Sequence, residues 1–161
     1  MDDDPFELHG DEFHPESPMA ASARLRDRLR LIHPQASLIV TGYAALELEV
    51  DQVLRRFLSR PSKLPRLTMD HRLGLLRAFI VDEWLDLVLD AIGAFGALRN
   101  CVAHGDHADV IDQAISKLGA KTYSIGLPLD ANTNLGVVAM NLASSLHAGT
   151  EFFECGCRPR S

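Results

Sequence analysis

Residues 82–105 read D-E-W-L-D-L-V-L-D-A-I-G-A-F-G-A-L-R-N-C-V-A-H-G, and they decide the fold. Asp82 is of a type that caps helix N-termini, and it starts the segment. Trp84, Leu87, Val88, Ala91, Ile92, Phe95 and Leu98 then recur at helical spacing. The pattern predicts one long helix with a buried stripe. Gly93 and Gly96 would each weaken an isolated helix by roughly 1 kcal/mol relative to Ala. They make sense where another helix packs closely. Gly105 is expected as the residue that ends the helix.

The last turns of this helix hold three polar residues, Arg99, Asn100 and His104, around a single Cys101 that reads as a small buried hydrophobe. By the helical period, Asn100 and His104 lie about 40° apart, while Arg99 and His104 diverge by about 140°. Bringing all three to one ligand needs a distorted last turn or a second copy of the chain across a two-fold axis. The chemistry of such a trio is coherent. Arg99 offers a planar, permanently charged fork for phosphate, an imidazole carries protons near neutral pH, and Asn100 can hold an imidazole tautomer or a ribose hydroxyl. A phosphate clamp plus a proton carrier suits RNA cleavage through the 2′-hydroxyl, which needs no metal, cofactor or protein nucleophile. The structural alternative is that Arg99 binds a carboxylate, His104 caps the helix and Asn100 satisfies backbone groups.

Outward from this segment the chain reads as helices joined by short breaks. Residues 1–17 form an acidic arm with Pro5 and Pro15, expected to be disordered. A first helix is expected from Pro18, with Leu25, Leu29 and Ile32 in line and four Arg spread around it. His33-Pro34 breaks it, and Ser37 is expected to cap a core helix of about twenty residues over Leu38–Leu58. Ile39, Tyr43, Leu46, Val50, Leu54, Phe57 and Leu58 make its stripe. On the same helix Glu47 and Asp51 share a face and Glu49 points away. Arg55, one turn past Asp51, suggests an ordinary ion pair. The other reading makes Glu47 and Asp51 candidate supporting acids for the Arg99/His104 cluster.

A loop with Pro61 and Pro65 leads to a shorter helix capped near Thr68 or Asp70. Beyond Gly105, a weaker helix is expected over Val110–Leu118. Gly119–Asp130 then reads as a loop forming a short hairpin or covering a cleft, and Thr133–His147 as a last helix. The expected organisation is the arm (1–17), one helical domain (18–148) and a loosely ordered tail (149–161). The fold class is all-α, a bundle of four or five main helices.

Composition narrows the function. The 161 residues carry a net charge of −6, yet the first sixteen hold seven acids and no Lys or Arg. The remainder has fifteen acids against sixteen bases, so no broad basic surface for duplex nucleic acid is expected. Thirteen of the bases are Arg, which favours a local phosphate-binding cleft. Three cysteines and an acidic start predict a reduced, cytoplasmic protein without a secretory signal, and no apolar run is long enough for a membrane span. His104-x-x-His107 is accompanied only by Cys155-x-Cys157, whose inner spacing is wrong for a zinc knuckle and which falls in the tail, so no metal is expected. No P-loop, nucleophile elbow or dinucleotide fingerprint occurs.

R-N-C-V-A-H at the end of a long helix, followed by Gly105, resembles the R-x4–6-H signature of the HEPN superfamily (higher eukaryote and prokaryote nucleotide-binding domains). Asn100 supplies the polar residue that follows the Arg in that signature. The order of elements over roughly Ser37–Asp106 is similar to that of the mannitol operon repressor branch. The resemblance implies a helical bundle that forms a homodimer with the two motifs facing a shared cleft. It implies a metal-independent endoribonuclease, as in toxin–antitoxin or defence systems. Arg99 and His104 would then be catalytic, Arg99 would also bind substrate RNA, and Asn100 would support them. An antitoxin or a regulatory protein is the implied partner. The alternative it carries is a non-catalytic regulator that binds a protein, nucleotide or RNA.

Overall fold

The computed structural model describes residues 22–23, 32–63 and 65–154. The chain divides into two compact units, Met1–Leu31 and Ile32–Ser161. Of the first, only Ser22 and Ala23 are described, and both are helical. The acidic arm and most of the expected first helix, including Leu25 and Leu29, therefore lie outside the described residues, as do Cys155 and Cys157.

The second unit is all-helical among its described residues. Its elements are α1 (Ala36–Arg56), a 3-10 turn at Pro61–Lys63, α2 (Met69–Phe79), α3 (Glu83–His104), α4 (Ala108–Tyr123) and α5 (Leu135–Glu154). The other four helices all pack on α3, and α1 packs on α2 and α5 as well. That arrangement explains the apolar character of residues 82–105. Leu85, Val88, Leu89, Ala91, Ile92, Phe95 and Leu98 are almost fully buried, each large side chain contributing about 1.5–3 kcal/mol by leaving water. None of the described helices is long and apolar enough to cross a membrane.

Local signals set the ends of α3. The Asp82 carboxylate accepts a hydrogen bond from the Leu85 amide at 2.7 Å. At the other end Gly105 adopts φ 69°, a left-handed conformation that favours glycine. Gly105 N–H donates to the Val102 carbonyl and Asp106 N–H to the Cys101 carbonyl, the paired bonds of a Schellman termination. Thr68 caps α2, accepting from the His71 amide.

Several expectations are corrected by packing. Ile32, the described residue of the apolar line expected on the first helix, is 55% exposed. The N-cap of α1 is Gln35 rather than Ser37, and it makes no side-chain cap. The Gln35 amide instead accepts from Leu135 N–H at 2.8 Å and donates to the Thr133 carbonyl at 3.1 Å, joining the starts of α1 and α5. Phe57 and Leu58 lie beyond α1 and are half-buried. In α3, Trp84 and Leu87 sit at the edge of the stripe, 40% and 37% exposed, and Leu85 and Leu89 fill the core in their place. The Trp84 ring covers the α5 backbone at Gly149, which has no side chain to obstruct it. Helix α4 runs to Tyr123, because Leu118 and Thr122 continue its buried face through Gly119. The segment between α4 and α5 forms no hairpin. It is a short connection whose Ile125, Leu127 and Leu129 pack on the core. Finally, α5 runs from Leu135 to Glu154, past the His147 expected as the end of the last helix.

Replacing Asp82 by Ala removes the cap of the central helix. It is expected to lower stability by about 1 kcal/mol, and hence the melting temperature by about 4 °C. Thermal unfolding followed by circular dichroism checks this, with Asp82→Asn expected to retain most of the parental stability.

Candidate functional site

Helices α1, α2 and α3 enclose an open groove of about 1260 Å³. Along α1 it is lined by Tyr43, Glu47, Asp51 and Arg55, four residues at a constant spacing of four that form one row on the helix. The segment before α2 and its first turns contribute Arg66, Thr68, Asp70 and Arg72, and α3 contributes Gly93, Gly96, Arg99 and Asn100. The groove follows from how α3 meets α1. Gly96 leaves a gap on α3 into which the Tyr43 side chain fits. A Cβ there would lie 2.9 Å from both Tyr43 Cε2 and Tyr43 Oη. Gly96 thus serves packing within one chain, whereas a Cβ at Gly93 would only reach ordinary contact with Leu73 at 3.8 Å.

Arg99 is held from two sides. Its guanidinium carbon lies 5.7 Å from the centre of the Tyr43 ring, over the ring face. Such a contact contributes about 0.5–2 kcal/mol, depending on how far it is desolvated. Its Nη1 donates to Asn100 Oδ1 at 3.0 Å. Its Nε is enclosed and finds no hydrogen-bond partner among the described residues. Arg99 therefore pairs with no carboxylate among the described residues, contrary to the structural alternative. The guanidinium lies at the groove wall, and with Nε enclosed and Nη1 bonded to Asn100, its remaining Nη hydrogens are what it can offer a ligand.

The candidate acids separate. Asp51 bonds Arg55 Nε at 2.5 Å and lies 3.9 Å from Arg72 Nε, so it acts within an ion-pair network at the other end of the row. The Arg72 Nη1 also donates to the Glu47 carbonyl at 3.4 Å. Glu47 lines the groove one turn from Tyr43. Glu49 points to the opposite side and pairs with His147 of α5 at 2.7 Å. Among the described residues of one chain, no hydrogen bond or ion pair joins Glu47 or Asp51 to His104.

His104 stands apart from this groove. Helix α3 is regular through its last turn, so the distortion that would fold His104 back toward Arg99 is absent. The imidazole is exposed and is not part of the groove lining. Arg99 and Asn100 are brought together; His104 is not. Cys101 is half-buried on the α4 side, where it lines a smaller cavity of about 520 Å³ with Lys117. Burial raises its thiol pKa, and Asp106 adds to the effect by hydrogen bonding and charge. A protonated thiol of this kind is a poor nucleophile. Among the described residues no cluster of three His, Cys, Asp or Glu is placed to hold a metal.

Reasoning from the sequence missed Tyr43, Arg66 and Arg72 as parts of the site. Tyr43 falls in the buried stripe of α1 and is only 9% exposed, so its pattern is that of a core residue. The available signal was chemical: a phenol within an otherwise aliphatic stripe. Comparison with family models, curated proteins and solved structures finds no match to this chain.

The Gly96→Ala variant forces Tyr43 out of place and is expected to destabilise the fold by about 1–3 kcal/mol. Urea unfolding measures it, with Gly93→Ala as the milder comparison, since a Cβ there meets only Leu73 at 3.8 Å. A second outcome concerns alkaline pH. The Tyr43 pKa is raised, first by burial and then by Glu47 and Asp70, with Arg99 and Arg72 partly opposing. The folded state therefore holds this proton more tightly than the unfolded chain. That contribution to stability is complete below the ordinary tyrosine pKa and is lost as pH rises through the folded value. Between about pH 9 and about pH 11, Tyr43→Phe should lose less stability than the parent protein in urea melts.

Proposed function

We propose that this protein is a HEPN-like, metal-independent endoribonuclease that works as a homodimer. The observation that carries the reading is Arg99 fixed at the wall of the groove by the Tyr43 ring and Asn100. A guanidinium held in this way is preorganised for the phosphate at which an RNA strand is cut, and little is lost in ordering it. In the reaction the ribose 2′-oxygen attacks the adjacent phosphorus and the bond to the 5′-oxygen breaks. The products are a 2′,3′-cyclic phosphate and a 5′-hydroxyl. One imidazole accepts the 2′-hydroxyl proton, and a second, protonated, supplies the proton taken up by the leaving oxygen. Arg99 neutralises the charge that builds on the phosphoryl oxygens. Two-fold pairing of chains supplies two copies of His104, whose exposure leaves it accessible to a second copy.

The same exposure favours a second reading, a non-catalytic regulator of the mannitol operon repressor type that uses the groove for binding alone. Here the absence of His104 from the groove lining is the native arrangement rather than half of a site. An antitoxin-like or regulatory protein partner fits either reading.

Incubation with single-stranded RNA in EDTA separates the two. The nuclease reading expects cleavage to 2′,3′-cyclic phosphate ends, reduced by about 100-fold or more in Arg99→Ala and in His104→Ala. RNA that is bound and left intact, with binding weakened by Arg99→Ala alone, selects the regulator. Failure to bind RNA at all overturns both uses of the groove for RNA.

A further inference from the structure

The groove has a second cationic end that the chemistry at Arg99 does not use. Tyr43, Glu47, Asp51 and Arg55 form one row on α1, so Asp51 lies about 12 Å and Arg55 about 18 Å along the helix from the Tyr43 end where Arg99 is held. At this far end two guanidinium groups share one carboxylate. Asp51 Oδ2 bonds Arg55 and Asp51 Oδ1 faces Arg72, which leaves an excess of one positive charge in that contact set. Arg55 remains about half-exposed despite its ion pair. An exposed pair of this kind is weakly held, so a phosphate can replace the carboxylate at small cost. At about 1260 Å³ the groove also exceeds the roughly 300–1000 Å³ of a site for a single small molecule.

We propose that Arg55 and Arg72 form a second phosphate subsite, and that the groove binds a single strand spanning both ends. Both guanidinium groups meet at Asp51, about 12 Å along α1 from Tyr43, which corresponds to on the order of two to four nucleotides, depending on how far the strand is extended. Asp51 is the internal competitor of this subsite: it holds both arginines in place and is displaced by the incoming phosphate. The inference rests on the proposed use of the groove for RNA and adds its footprint, a second anchor and a residue that weakens binding.

The test uses a fluorescein-labelled 2′-O-methyl uridine dodecamer, which cannot be cleaved, with anisotropy read from about 50 to about 300 mM KCl. Each phosphate contact contributes about 0.7 to the slope of log affinity against log salt for a single strand. Arg55→Ala and Arg72→Ala should each flatten the slope by about 0.7 and weaken binding several-fold, while Arg72→Lys keeps the slope. Asp51→Asn should tighten binding and steepen the slope. Competition should strengthen from uridine monophosphate to a pentanucleotide and change little beyond it. Parental slopes in both arginine variants, with Arg99→Ala still weakened, overturn the second subsite and leave the proposed function standing. Weaker binding by Asp51→Asn overturns its role as competitor. A parent protein that does not bind the dodecamer overturns the subsite and the RNA reading together, and displacement by an oligoaspartate as effective as the pentanucleotide overturns RNA as the occupant.

Discussion

A helix against which four others pack has little surface left for water, and the whole unit depends on that constraint at α3. Apolar side chains must occupy most of its circumference from Leu85 to Leu98. Polar groups gather at its start, where Asp82 caps the free amides, and in its last turns, and between them Asp86 and Asp90 stay at the surface by pairing with Arg77 and, for Asp90, Lys121. The candidate site lies at that second boundary. Arg99 sits where packing is tight enough to fix a side chain and open enough to admit a ligand. Asn100 and the Tyr43 ring then restrict it further.

The readable part of the fold is the part governed by short-range rules. Helical periodicity placed α1, α2 and α3, and Thr68, Asp82 and Gly105 marked their ends because capping and left-handed geometry are local demands. Errors arose where a distant element decides. Leu85 and Leu89, rather than Trp84 and Leu87, form the core because α3 is covered from several directions, which rotates the buried face relative to a single stripe. Gln35 has no local partner to suggest its role; its bonds reach Thr133 and Leu135. Gly119 reads as a break, yet α4 passes through it because Leu118 and Thr122 are held by the core.

The site was legible in the same uneven way. The spacing of Arg99 and His104 already implied that one regular helix keeps them apart, and α3 is regular to its end. The row of Glu47 and Asp51 on one face, with Glu49 opposite, also follows from period alone. Which cations meet that row does not. Arg72 comes from α2, and its approach to Asp51 depends on how α1 and α2 cross. The interleaving of Arg55, Arg66, Arg72 and Arg99 with Glu47, Asp51 and Asp70 leaves four cations against three acids along the groove, in keeping with the near-neutral charge of the body. Much of its positive charge is balanced internally, which limits indiscriminate attraction to polyanions.

The clasp that Gln35 makes between the starts of α1 and α5 links residues 98 and 100 positions apart. Closure of the α1–α5 face must therefore wait for the ribosome. At about 5–20 residues per second, on the order of ten seconds separates the emergence of α1 from that of α5. The groove helices α1, α2 and α3 are neighbours in sequence and can associate first, while the surface of α1 destined for α5 remains wet. A nascent chain stalled after α4 would hold a formed groove on an incompletely covered core, a species with a tendency to aggregate.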